Sequence, residues 1–299
     1  MKTKMNEEFE KIKSLFEKIV EFDKEGKLIN ELLERGVVSL NDIIDYAINS
    51  DNFEYVYFVT KNIKNINLST LEDKVLEMNC LNDMIRFSNL EGVNIKKFED
   101  KIISLNDFNC FCEFAKNVKN VNMKRFEDLV ISCNDLRYIL RFAIEVKSCD
   151  VNRLADVVIE SGNTYYIMLY AMHVKKAPFE KLVDKIVEVG DPDEIIAMAD
   201  EFNLDYLDKL TDAIIRTKNV HYICEFGVKF EKDLSIELVD KLADAVMKYG
   251  TNIDIYYFAS TIEKAPEILM LKKIKENNKI QSKEERKNKV RKLLHLKTK

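Results

Sequence analysis

At 299 residues, with 46% apolar and 33% charged positions but only seven glycines and three prolines, the chain is neither collagen-like, disordered nor a turn-rich β protein. Its formal charge of −5 hides an asymmetry: Leu271 to Lys299 hold ten lysines and two arginines against three glutamates, a net of +9, which leaves −14 on residues 1–270. No apolar run reaches membrane-spanning length and MKTKMNEEFE lacks the apolar core of a secretory signal, so a cytoplasmic chain is expected.

The leading segment, residues 1–36, places Phe9, Ile12, Phe16, Ile19 and Val20 on one helical face and breaks at Asp23 to Gly26; it is predicted to cap the first of a series of repeated units. From residue 37 the sequence repeats itself, and repetition outranks any single motif as a guide to the fold. Take Phe126 as an anchor. Seventeen residues later comes a small residue, Ala143, preceded by Phe142. The same interval joins Leu71 to Ser88, Phe98 to Ala115, Leu154 to Ala171, Leu182 to Ala199, Leu210 to Gly227 and Leu242 to Ala259, while a looser first copy pairs Leu40 with Phe58 and Val59.

Each copy reads as two amphipathic helices. Apolar residues four and five past the anchor (Val130 and Ile131, Ile186 and Val187) form one stripe. A second stripe lies 13, 16, 17 and 20 past it, as in Ile139, Phe142, Ala143, Val146 and in Ile195, Met198, Ala199, Phe202. Between the stripes, eight past the anchor, stand Asn79, Asn106, Asn134, Gly162, Gly190, Lys218 and Gly250, mostly residues that accept a left-handed backbone and end helices. Asp107, Asp135, Asn163, Asp191, Asn219 and Thr251 follow as caps for the second helix, and Asp191-Pro192-Asp193-Glu194 has the spacing of a reciprocal cap. Asn67, Asn94, Asn122 and Asp150, four before their anchors, are expected to cap the first helices.

The expected fold is therefore all-α: a right-handed α-solenoid of about eight helical hairpins with capping helices at both ends. The hairpins span 37–64, 65–92, 93–120, 121–149, 150–176, 177–202, 203–230 and 231–262, and 263–299 forms a basic C-terminal cap or tail. There, Ser282 and Glu285 have capping-box spacing, and Val290, Leu293, Leu294 and Leu296 give the helix they would start a narrow apolar stripe.

Two features reach beyond core packing. An aspartate stands two past every anchor: Asp42, Asp73, Asp100, Asp128, Asp156, Asp184, Asp212 and Asp244. In six copies a basic residue precedes the anchor: Lys97, Arg125, Arg153, Lys181, Lys209 and Lys241. Either each carboxylate fixes the rotation between neighbouring units, or the aspartates form an acidic ridge for a basic partner; exposed ion pairs alone are too weak to explain such regularity. Tyr138, Tyr166 and Tyr222 share the place twelve past the anchor, Arg137 and Arg141 flank the first, and these aromatics are candidate partner contacts. Asp83, Cys110, Glu194 and Asp254 hold that place elsewhere, which argues against a one-base-per-repeat code. In the tail, Lys283, Arg286, Lys287, Lys289, Arg291 and Lys292 are candidate nucleic-acid contacts.

No enzyme signature accompanies the repeats. His173, His221 and His295 share no position, and there is no phosphate-binding glycine loop. The six cysteines, Cys80, Cys110, Cys112, Cys133, Cys149 and Cys224, show no zinc spacing and fit a reducing compartment. No catalytic residue, cofactor or metal is expected.

The stretch FAKNVKNVNMKRFEDLVISCNDLRYILRFA, echoed from about Leu40 to Ile262, resembles the tandem 28-residue helical-hairpin repeats of proteins from low-GC Gram-positive bacteria and their phages. More distantly it is similar to tetratricopeptide and HEAT solenoids, although the unit is shorter and lacks the tetratricopeptide tryptophan and proline pattern. The resemblance implies a scaffold that binds macromolecules and shares no catalytic residue. A protein partner bound, inhibited or sequestered through one face is the leading expectation, with an anti-host role for a phage or mobile-element product. Nucleic acid held by the basic tail is the alternative.

Overall fold

The computed structural model describes residues 13–201 and 206–296, with side chains described to residue 280 and at Ser282. Phe9, Ile12 and Phe202 lie outside the described residues. Among the described residues there are nineteen helices and no strand. The chain forms two compact units, Met1–Asp150 and Val151–Lys299.

The first unit holds α1 (13–22), α2 (Lys27–Glu34), α3 (Leu40–Asn49), α4 (Phe53–Asn62), α5 (Ser69–Met78), α6 (Leu81–Ser88), α7 (Ile95–Ser104), α8 (Phe108–Asn117), α9 (Met123–Ser132) and α10 (Leu136–Glu145). The second holds α11 (Val151–Glu160), α12 (Thr164–His173), α13 (Phe179–Val189), α14 (Pro192–Glu201), α15 (Leu207–Arg216), α16 (Val220–Lys229), α17 (Ile236–Tyr249), α18 (Asn252–Thr261) and α19 (Glu267–Leu296). Within each unit, from α3 to α10 and from α11 to α19, every helix packs on its chain neighbours. Second helices also pack in rows: α6 on α8 and α8 on α10 in the first unit, α12 on α14, α14 on α16 and α16 on α18 in the second. This sequential pairing is the solenoid-like packing of a helical repeat.

Most of these helices have about ten residues, a length marginal in isolation, so burial must hold them. Phe98, Phe126, Leu154 and Leu182 are fully buried anchors, each burial favouring the fold by about 2–3 kcal/mol. The small residue seventeen on lets one second helix approach the next closely, as Gly227 of α16 does α18. At Gly227 even a methyl group would sit 2.8 Å from the Phe258 ring and from Ile262 Cδ1. Asn79, Asn106, Asn134, Gly162, Gly190 and Lys218 adopt the left-handed backbone that turns one helix into the next. Gly250 does not: its φ is −87°, and glycine is needed there because a Cβ would lie 2.6 Å from the Val246 carbonyl.

Three further expectations need correction. The first hairpin obeys the common ruler from Ile43, not from half-buried Leu40. Ile43, Val56 and Val59 are buried at 0, 13 and 16, Thr60 fills the small-residue place, and Asp51, eight past Ile43, is left-handed. The aspartate two past the anchor is then Asp45, while Asp42 sits at the start of α3, its N–H donating to the Ser39 cap. Second, Ser282 starts no helix. It lies inside α19, where its hydroxyl donates to the Lys279 carbonyl. Third, α19 begins as a ninth first helix: Lys264-Ala265-Pro266 repeats Lys176-Ala177-Pro178, and Met270, 28 residues after Leu242, is a fully buried anchor.

At the other end, buried Phe16 of α1 lies edge-on to Tyr46, Tyr55 and Phe58. The side-chain bonds joining successive hairpins bridge between 22 and 33 residues of chain.

Candidate partner-binding surface

The repeated aspartates lie along the first helices and point at the next first helix. Lys97 donates to Asp73 at 3.0 Å, Arg125 to Asp100 at 2.6 Å, Lys181 to Asp156 at 3.1 Å, Lys209 to Asp184 at 2.8 Å and Lys241 to Asp212 at 3.0 Å. The basic residue before one anchor thus meets the aspartate of the preceding unit. Asp100 first, and Glu99 second, hold the Arg125 guanidinium above its ordinary value, and Asp184 and Asp212 do the same for Lys209 and Lys241. Asp128 occupies the equivalent place on α9. The series stops at Asp244, because the ninth first helix carries Leu269 where a cation would stand. Among the described residues no cation lies within ion-pair distance of Asp244, which borders an open cleft with Met247, Lys248 and Lys272.

In the first unit a second carboxylate joins this ladder. Glu72, Glu99 and Glu127, one past their anchors, are 3–4% exposed and accept the backbone N–H groups of Asn94, Asn122 and Asp150 at 2.8, 2.6 and 2.8 Å. Glu99 also takes Arg125 at 2.8 Å, and Glu72 takes Lys97 at 3.2 Å. Asn94 and Asn122 make no side-chain cap, so these helix starts are held by a glutamate of the preceding unit. The sequence did carry a signal for it, the recurrent pair Leu71-Glu72, Phe98-Glu99 and Phe126-Glu127.

The second helices show less repetition and more exposed variety. Tyr138 stacks on Phe108 at 4.2 Å, with the Arg141 guanidinium 5.4 Å from the same ring and bonded to Asn109 and Glu145. Tyr222 donates to Asp193 at 3.2 Å, which pushes its phenol up, and Tyr166 meets Tyr165 edge-on. Each tyrosine thus engages a different neighbour, and the three form no common stacking column. Glu194, at the same place on α14, is pushed up to about 7 by burial first and by its bond to Asp191 second. Arg86 forks onto Glu54 at 2.6 and 3.2 Å and lies over the Phe53 and Tyr57 rings.

The backbone of the basic tail is helical to Leu296, but the side chains of Lys283, Arg286, Lys287, Lys289, Arg291 and Lys292 lie outside the described ones. No described helix is long and apolar enough to cross a membrane. Among the described residues no group of three or more histidines, cysteines and carboxylates is placed to hold a metal ion. What the arrangement offers is a row of first helices whose charges are largely paired with one another, beside a row of second helices with varied outer side chains. Comparison of the chain with protein families, curated proteins and solved structures finds no match to any of them.

Proposed function

We propose that the protein is a non-catalytic binding scaffold that recognises a macromolecular partner, in the first place a protein, through the outer faces of its second helices. One observation carries this: the residues that repeat, such as Asp73, Asp100, Asp156, Asp184 and Asp212, are engaged in joining units, whereas the outer second-helix residues differ from unit to unit. Arg137 and Arg141, Tyr165 and Leu169, His221 and Glu225, and Ile253 and Tyr257 present unlike chemistry at like positions. A constant frame with a variable display suits recognition of an extended surface. The resemblance to 28-residue repeats of low-GC Gram-positive bacteria and their phages supports a role in sequestering or inhibiting a host component.

The test is co-purification of the partner from the native host with nuclease treatment, followed by paired replacements. Tyr256 and Tyr257 to alanine, or Arg137 and Arg141 to alanine, should reduce capture with little change in melting. Asp156 and Asp184 to alanine should lower melting and spare capture, and the reverse pattern overturns the proposal. Nucleic-acid binding is the second reading, and the +9 charge of Leu271 to Lys299 favours it. It requires affinity that falls steeply with salt and disappears on removal of residues 281–299, a truncation that spares the packed Met270.

A further inference from the structure

The second-helix row of the second unit ends at α18, and there it ends bare. Fourteen residues past the anchor, every earlier second helix from α4 to α16 carries a residue that is buried or half-buried, such as Cys112, Ile196 and Cys224. That place faces the next second helix: Cys112 lies 3.7 Å from Glu145, and Cys224 feels the charge of Asp254. On α18 it is Tyr256, 61% exposed, with Ile253 at 79% and Tyr257 at 49% beside it.

The next hairpin is half built. Met270 anchors α19 against α17 and α18, but Ile274, four further on, is only half-buried, whereas Val158, Ile186, Ile214 and Val246 at that place are completely covered. A ninth second helix would need apolar residues 13, 16 and 17 past Met270. The sequence puts Lys283, Arg286 and Lys287 there, and α19 continues instead as one long helix. Asn278, at the turn position, stays helical and bonds Asn252 at 2.9 Å. After Ile274 comes Lys275, exposed, at a place that is apolar in every earlier first helix.

We propose that the trough between α18 and α19 docks one amphipathic helix of a partner protein, apolar where it meets Ile253, Tyr256 and Tyr257 and acidic where it runs beside α19. The proposal rests on the protein-binding reading above and gives it a place and a ligand chemistry. A helix seated there continues the row in which α16 packs on α14 and α18 on α16. Its acidic flank answers Lys275, Lys279 and the net +9 of the segment from Leu271 to Lys299 that holds them. Helix-in-groove recognition of this kind uses anchors at i, i+3 and i+4, the spacing of Ile253, Tyr256 and Tyr257 on the receiving side.

The experiment selects a displayed library of helical peptides, with a fixed apolar stripe and randomised flanks, on the full chain, and measures the winners by fluorescence anisotropy. Acid-flanked peptides should be enriched and bind saturably. Tyr256→Asp should weaken them roughly tenfold or more, and Lys275→Glu should shift the preference toward basic flanks. Both side chains are exposed, so thermal melting of the variants should be unchanged. Enrichment of neutral or basic flanks, binding indifferent to Tyr256→Asp, or no enrichment would overturn the proposal. A wild-type dimer in sedimentation that Tyr256→Asp converts to monomer would identify a second copy as the occupant, and that also overturns it. Capture of the host partner that survives Tyr256→Asp would remove this site and leave the broader binding role standing.

Discussion

The two compact units share a hairpin but join successive hairpins by different chemistry. In the second to fourth hairpins of the first unit the residue after the anchor is Glu72, Glu99 or Glu127, a buried carboxylate that accepts a backbone N–H twenty-two or twenty-three residues on, and Glu72 and Glu99 also hold the cation of the next first helix. In the second unit the same place holds Ala155, Val183, Thr211 and Ala243, and the ion pairs that remain, such as Lys181 with Asp156, are exposed on both sides. The receiving end has changed with it. Twenty-three residues after Ala155 stands Pro178, which has no N–H to satisfy, and α17 is capped by its own Ser235. At Ala155 and Pro178 the acceptor and the donor are absent together, so neither is left unpaired in the core. The directional joint is the more demanding of the two, since it works only at one rotation between units.

Breaking the polar joint should have the largest effect. Glu99→Ala leaves the Asn122 N–H without its acceptor and Arg125 with Asp100 alone, and should cost about 3 kcal/mol in urea unfolding. An unchanged midpoint would show that the carboxylate contributes nothing. The next test strikes the small-residue place common to both units: Ala143, which is buried, is replaced by leucine, which overpacks its surroundings and should cost about 2 kcal/mol, read in the same way. In the second unit the comparison can be sharpened in the opposite direction. The Thr211 hydroxyl is buried with no bonding partner, so Thr211→Val should raise stability by about 1 kcal/mol; a loss would mean the hydroxyl is satisfied in solution.

A pH dependence also separates the units. The folded Glu194 carboxyl keeps its proton up to about pH 7, against an ordinary value of 4.5. Its contribution is therefore full below about 4.5 and is lost as the pH rises to 7. Asp191, held below its ordinary value by that same bond, titrates under this window. Glu194→Gln should flatten the melting temperature between pH 5 and pH 8, to a relative gain at pH 8; parallel profiles for the two proteins would refute the assignment. The smallest effect is expected from Lys209→Ala, a slight drop in melting temperature at low salt that disappears at high salt.

Much of this architecture is legible in the sequence, because the hairpin is specified locally. The apolar stripes, the asparagines and glycines between them and the Asp107 and Asp135 caps all act within about twenty residues. Where the sequence misled, the cause was distant or statistical. Asn94 and Asn122 have the type and place of caps, but their helices are held by a glutamate one unit earlier, which no local rule detects. Ser282 and Glu285 have cap spacing, yet a helix already propagating from Met270 does not stop for it. The ninth anchor was hidden because the second half of its hairpin is charged. The aspartates were visible as a pattern, and only geometry distinguishes a joint from an exposed ridge.

The joints also set how the polypeptide comes to be folded. Since the described side-chain bonds between hairpins reach only to the adjoining one, assembly has no distant pair of segments to bring together, and the entropy of closing a long loop does not enter. A hairpin can settle during synthesis as soon as its successor emerges, and whole modules could be added or deleted at matching joints without disturbing the others. Such edits should succeed between like joints, glutamate to N–H or alanine to proline, and fail where the two kinds are spliced.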